Sequence, residues 1–263
     1  MGASSAHSVH ALARYLLSLL VAIATQSVTH PTHAADEIQV YNASIAPVHT
    51  WSLQQHLNYV WSGSTTPDFD GSFAPYHSLN GTPELAYGVT PWYEIGFYAP
   101  FAIDANGTLY SAGAKVRHLF VSPNADERKF FYGLNIELSF LTPPFSQSPV
   151  GLEFRPILGV RDLGWEFIIN PIVDASFGAT GSVDFAPAMR LARSVAKDVM
   201  LGVEYYSDFG PIGNMSSLSQ QRHALFAVTD FTVLGLDVNF GVGFGLTDSS
   251  DKIVTKIIIG RTF

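Results

Sequence analysis

The sequence predicts an all-β chain, a transmembrane antiparallel β-barrel of twelve strands that follows a cleaved signal peptide. Three observations carry this expectation. From Trp51 onward, segments of about ten residues alternate apolar and polar side chains, the period of a strand whose two faces meet different surroundings. Within them nearly every charge falls on one parity, and the connections alternate between long polar loops and short turns. A soluble sandwich would bury its apolar parity and cover itself with charge, yet only 14% of this chain is charged while 47% is hydrophobic. Ten and fourteen strands are the competing counts.

The amino terminus reads as an address. Residues 1–14 carry one arginine, and residues 15–24 (YLLSLLVAIA) form an apolar run too short to span a bilayer as a helix. Thr32-His33-Ala34 then offers small residues to a signal peptidase, so cleavage is expected after Ala34. The domain plan is a signal peptide over 1–34, a short periplasmic segment over 35–49 and the barrel over 50–263. Losing Arg14 with the leader takes the formal charge from −8 to −9, which disfavours nucleic acid as a partner. With no cysteine, disulfides, thiolate metal sites and thiol nucleophiles are excluded.

The strands follow in order. The first sets Trp51, Leu53, Leu57, Tyr59 and Trp61 against Ser52, Gln54, His56 and Asn58, with Gln55 the one dissenter. The second (78–88) opposes Leu79, Leu85 and Tyr87 to Asn80, Thr82 and Glu84, and the third (92–101) opposes Tyr93, Ile95 and Phe97 to Glu94 and Gly96. The fourth (108–120) separates Val116 and Phe120 from Lys115 and Arg117; the fifth (129–140) alternates without interruption from Phe130 to Phe140 around Asn135 and Glu137. The sixth (150–161) places Phe154 and Leu158 opposite Glu153, Arg155 and Arg161, the seventh (164–174) Trp165 and Phe167 opposite Glu166 and Asp174, and the eighth Met189 and Leu191 opposite Arg190. In the ninth (197–209) Leu201 and Val203 oppose Glu204 and Asp208, whereas the tenth (221–233) is apolar on both parities and has no readable orientation. The eleventh (235–246) and last (253–263) alternate again, ending on Phe263.

In a lipid-facing barrel the polar parity lines the lumen. Glu84, Glu94, Lys115, Arg117, Glu137, Glu153, Arg155, Arg161, Glu166, Arg190, Glu204 and Asp208 are therefore expected to line it. They form either a solute path or a plug of ion pairs. The glycines on that parity suit a lumen where strands crowd. Phe263, on the outward parity at the end of the chain, has the form of the terminal signal read by the barrel assembly machinery. Periplasmic chaperones, that machinery, outer-membrane lipid and a small-molecule solute are the expected partners, and the bacterial outer membrane is the expected location.

Several phrases carry a resemblance: Asp36-Glu37-Ile38-Gln39-Val40-Tyr41, Leu53-Gln54-Gln55-His56-Leu57-Asn58-Tyr59-Val60, Gly88-Val89-Thr90-Pro91-Trp92-Tyr93-Glu94, Gly202-Val203-Glu204-Tyr205-Tyr206 and Gly243-Phe244-Gly245-Leu246-Thr247. They are similar to small outer-membrane barrels of the phenol meta-pathway transporter type. The resemblance covers most of the mature chain and rests on strand and turn patterns. It implies passive passage of aromatic or other small hydrophobic solutes.

The chemistry to weigh against a channel is thin. His77-Ser78-Leu79-Asn80-Gly81 superficially matches an outer-membrane lipase pattern, but neighbours on a strand point to opposite faces and cannot form a dyad. The mature histidines, His49, His56, His77, His118 and His223, have no metal-ligand spacing, and Asp68, Asp70, Asp248 and Asp251 read as solvated loop acids before a Ca²⁺ site. No enzyme activity and no cofactor are expected; the alternatives to a channel are a structural or adhesive barrel with a plugged lumen and, behind it, a lipid-modifying enzyme.

Overall fold

A computed structural model describes residues 37–263; the leader expected over 1–34 and its cleavage point lie outside the described residues. The strand segments are β1 (Trp51–Ser62), β2 (Leu79–Thr90), β3 (Tyr93–Tyr98), β4 (Phe101–Ile103), β5 (Leu109–Ser111), β6 (Gly113–Val121), β7 (Phe130–Leu141) and β8 (Val150–Asp162). They continue with β9 (Trp165–Asn170), β10 (Val173–Phe177), β11 (Val183–Phe185), β12 (Ala188–Ala196), β13 (Val199–Asp208), β14 (Arg222–Val233), β15 (Leu236–Gly245) and β16 (Ile253–Thr262). Every pairing is antiparallel, and β1 pairs with both β2 and β16, so the sheet closes on itself.

Four of the strands are broken once. The breaks fall at Ala99 and Pro100 (β3/β4), Ala112 (β5/β6), Pro171 and Ile172 (β9/β10), and Ala186 and Pro187 (β11/β12). Proline has no N–H to give to a ladder, which explains three of the four interruptions. Counted with each broken strand as one, the barrel has twelve strands, one for each alternating segment of the sequence.

The parities point as expected. Leu53, Phe97, Phe140, Leu158, Phe167 and Leu201 stand exposed on the outer wall, and Glu84, Arg117, Asn135, Asn170 and Glu204 are buried inside. Pairing with β13 and β15 also orients β14, which the sequence left open: Phe226, Val228 and Asp230 turn inward and Leu225 outward.

The lumenal glycines have a sharper explanation than crowding. Gly159 is paired across the ladder with Phe131, Gly243 with Phe226, Gly96 with Arg117 and Gly241 with Lys256. In each pair the large side chain lies across the space a Cβ would take; one at Gly159 would sit 2.0 Å from the Phe131 ring and one at Gly243 2.3 Å from that of Phe226. The glycine provides the room that lets a long side chain fold flat against the inner wall.

Of the segment expected as periplasmic, residues 37–46 instead run inside the barrel and 47–49 lie exposed at its rim. The chain enters at the short-turn rim by β1 and extends back up the lumen to Glu37, with Val40, Tyr41, Ala43 and Ala46 buried. These residues pack with Leu119, Val121, Phe131, Ile157, Ile168 and Ile172 into a small lumenal core. An irregular backbone can be buried only where its polar groups find partners. The inner wall supplies them: Asn170 Oδ1 accepts the Tyr41 N–H (2.7 Å) and Asn170 Nδ2 donates to the Tyr41 carbonyl (3.1 Å). Glu94 Oε2 accepts the Ala46 N–H at 2.6 Å.

Candidate functional site: the charged lumen

Two charged networks face each other across the segment formed by residues 37–46. On one side Arg117 joins Glu84 and Glu94: its Nε donates to Glu84 Oε1 at 2.9 Å and its Nη2 to Glu94 Oε1 at 2.6 Å, with a further Nη2 bond to Glu84. His56 Nε2 lies 3.3 Å from Glu84 Oε2. Lys115 pairs with Glu137 at 3.0 Å and with Glu37 of the inner segment at 3.3 Å. Arg155 is held in bidentate fashion by Glu153, donates to the Gln39 carbonyl at 3.2 Å and stacks over the Tyr41 ring at 4.4 Å.

The opposite network runs Arg161–Glu166–Arg190–Glu204–Lys256. Its contacts are 2.6 Å for Arg161 to Glu166, 3.2 Å for Arg190 to Glu166 and 2.7 Å for Arg190 to Glu204; Arg190 also bonds Asp230 and Lys256 bonds Glu204. Lys256 Nζ donates to the Ile38 carbonyl at 2.9 Å, tying the inner segment to this wall too. Charges taken out of water keep their ionised form only when paired and hydrogen-bonded, and these groups meet that condition.

Of the residues expected to line the lumen, eleven take part in these two networks; Asp208 sits apart at the outer end of β13, where its Oδ1 accepts the Gly210 N–H at 2.8 Å. Sequence reasoning missed Glu37, Asp230 and Lys256. Asp230 lay on the segment without a readable parity, and Lys256 was an isolated charge in an isoleucine-rich strand. Glu37 belonged to a segment with no periodicity at all.

The space left in the lumen forms two main cavities. One of about 590 Å³ opens at the short-turn end, among Gln54, Arg190, Asp230, Asn239, Ile258 and Arg261. A smaller one of about 160 Å³ lies in the outer half, with Ile38, Val60, Ile172, Ala224, Phe226 and Val254 as its apolar wall and Asp174, Asp208 and Asp251 among its acids. Gln39 borders both, and Tyr206, Glu204 and Lys256 stand beside it. Above, the loop 63–78 is pinned to β14 by Asp68 and Arg222 at 2.6 Å. Burial raises the Asp251 carboxyl above the ordinary aspartate range, against the opposing pull of Arg222.

The His77 and Ser78 pair is not assembled for chemistry. Ser78 Oγ donates to the Pro75 carbonyl at 2.8 Å and accepts from Asn80 Nδ2 at 3.2 Å, while the His77 ring stacks on Tyr76. Phe263 is exposed, its backbone bonded in both directions to Trp51.

No protein-family model and no curated protein matches the chain. Among solved structures it is similar to the COG4313 outer membrane channel from Pseudomonas putida F1, with 12% identity, 86% of this chain and 100% of that one covered, and a TM-score of 0.60. It is also similar to the NanC porin, with 9% identity, 80% and 97% coverage and a TM-score of 0.50. At such identities the likeness is one of fold: an outer-membrane β-barrel of the kind these channels share.

Proposed function

We propose that this barrel is a channel that lets small solutes cross the outer membrane down their gradient, with residues 37–46 narrowing the lumen between an outer and a periplasmic cavity. The observation that carries this reading is the pair of cavities that meet at Gln39. A barrel built only as a scaffold has no need of a lumen hollow from both ends. The apolar wall of the outer cavity supports a solute with a small aromatic or aliphatic body, and the charged groups that share its lining, Glu153, Arg155 and Asp174 among them, favour one that also carries a polar group. The long loops carry Asp68, Asp70, Asp104, Asp248 and Asp251 against Lys252, and this field favours cations over anions at the entrance. Phe263 serves as the assembly signal.

The test is conductance of the purified, refolded protein in planar bilayers together with solute-driven swelling of reconstituted vesicles. The full chain should give small, cation-preferring conductance, and deletion of residues 37–48 should enlarge it. Silence of both proteins in both assays overturns the channel and leaves the plugged, structural barrel.

A further inference from the structure

The strand register sets four carboxylates in one row along the inner wall of the outer half. Glu137 of β7 lies directly opposite Glu153 of β8, Glu153 opposite Asp174 of β10, and Asp174 opposite Asp184 of β11. Neighbouring strands are spaced by about 4.8 Å, so the row runs for about 14 Å around the barrel. Glu137, Glu153 and Asp184 are all buried. Like charges directly opposite one another across a ladder cost stability, and a fold keeps such an arrangement where function uses it. Beside the row stands Asn135, fully buried, whose Nδ2 donates to Glu153 Oε1 at 3.3 Å and whose Oδ1 accepts no hydrogen bond. It adds one more acceptor at the same place.

Two cavities meet at this row. The outer cavity of about 160 Å³ and a smaller one of about 100 Å³ share Glu153 and Asp174 as lining. The larger has the apolar wall of Ile172, Phe226 and Val254, and Ile172 brings that wall to within two residues of Asp174. The smaller is lined by Ser139, Ser148 and Ser176 and sets one lysine, Lys115, against all four carboxylates of the row. Among the described residues no acids or histidines gather closely enough to hold a metal ion, whereas acids one strand apart suit a larger cation with several N–H donors. We propose that this row binds a small organic amine in its ammonium form, with the head against Asp174 and Asp184 and the apolar body in the outer cavity. The proposal rests on the channel reading above and names the solute of that channel. Lys115 and Arg155 stand at the Glu137 and Glu153 end of the row, so the head goes to the Asp174 and Asp184 end. An ammonium leaves water readily only where ionised acceptors replace its hydration, and a neutral solute with the same body gains nothing from the row.

Benzylammonium is the probe, with benzyl alcohol as its neutral counterpart of similar shape. Binding to the purified, refolded full chain in detergent is read by titration calorimetry, passage by conductance and reversal potential in gradients of benzylammonium chloride, and folding by heat-modifiable migration and the urea midpoint. Benzylammonium should bind at least tenfold more tightly than benzyl alcohol. D174N and D184N should each weaken benzylammonium by about tenfold, the effect of one charge-assisted hydrogen bond, and leave benzyl alcohol unchanged. Both variants should keep or raise the urea midpoint, because each removes a directly opposed like charge. D70N, on the exposed part of the loop 63–78, should match the wild type. Unchanged benzylammonium affinity in both aspartate variants, or an equal loss in D70N, overturns the site. So does a lowered midpoint, which would mark these acids as members of a structural ion-pair network. A protein that conducts ions but binds benzylammonium no better than benzyl alcohol overturns the amine site while sparing the channel; one that binds benzylammonium through Asp174 and Asp184 but passes no current keeps the site and overturns the channel.

Discussion

Replacing Arg117 by methionine tests whether the lumenal networks are dry. Arg117 is about 5% exposed and bonds two carboxylates that are about 3% exposed each. Methionine keeps most of the volume and removes the charge, leaving Glu84 and Glu94 facing each other without the guanidinium that joined them. Stripping one partner from a buried ion pair costs about 3–5 kcal/mol. With an m-value of about 2 kcal/mol per molar urea, the unfolding midpoint in lipid vesicles, followed by tryptophan fluorescence, should fall by about 2 M. Adding E84Q and E94Q removes the orphaned charges and should recover all but about 1 kcal/mol, because uncharged groups of similar shape nearly balance a buried pair. Glu94 also holds the Ala46 N–H, so R117M should loosen the inner segment and raise conductance in the same preparation. A midpoint within about 0.5 M of wild type would refute the reasoning, since it would mean that water reaches these carboxylates and screens them as it does surface pairs.

Other consequences are measurable in the same unfolding assay. G159A should lose about 1–3 kcal/mol, because its Cβ would meet the Phe131 ring, itself wedged beneath the Arg161 guanidinium at 3.9 Å. K129A, which breaks an exposed pair with Asp162, should change stability by less than about 0.5 kcal/mol and calibrates the R117M result. Asp251 has a folded pKa raised by burial, so the folded state binds its proton more tightly than the unfolded chain does. Its contribution is present in full below the unfolded value of about 3.9 and is lost as pH rises through the raised value. D251N should therefore gain stability relative to wild type between pH 4 and pH 7, and a difference that shrinks over that range would contradict the sign. Removing Phe263 should lower the yield of heat-modifiable barrel in the outer membrane without changing the urea midpoint of the protein refolded in vitro.

Much of this molecule is local and therefore legible along the chain. A strand exposes its two faces with period two, so the twelve segments, their inward and outward parities and the alternation of short turns with long loops can all be read without knowing which strand meets which. Eleven of the twelve expected lumenal residues entered the charged networks for that reason. The exception in orientation was β14, where Phe226 and Val228 point inward and give both parities the same apolar look. It took pairing with β13 and β15 to turn Asp230 towards Arg190.

What the sequence by itself determined is the barrel as a strip of alternating strands: their number, their greasy face and their charged face. What only the tertiary structure decided depends on register and closure. Residues 37–46 have no periodicity, and they lie inside because the closed lumen offers Asn170, Glu94, Arg155 and Lys256 as partners for an irregular backbone. The fit of Phe131 on Gly159, and the meeting of Arg190 with Asp230, depend on residues far apart in the chain being brought opposite one another. A one-residue slip in register would separate each of those pairs while leaving the alternation that predicted the strands unaltered.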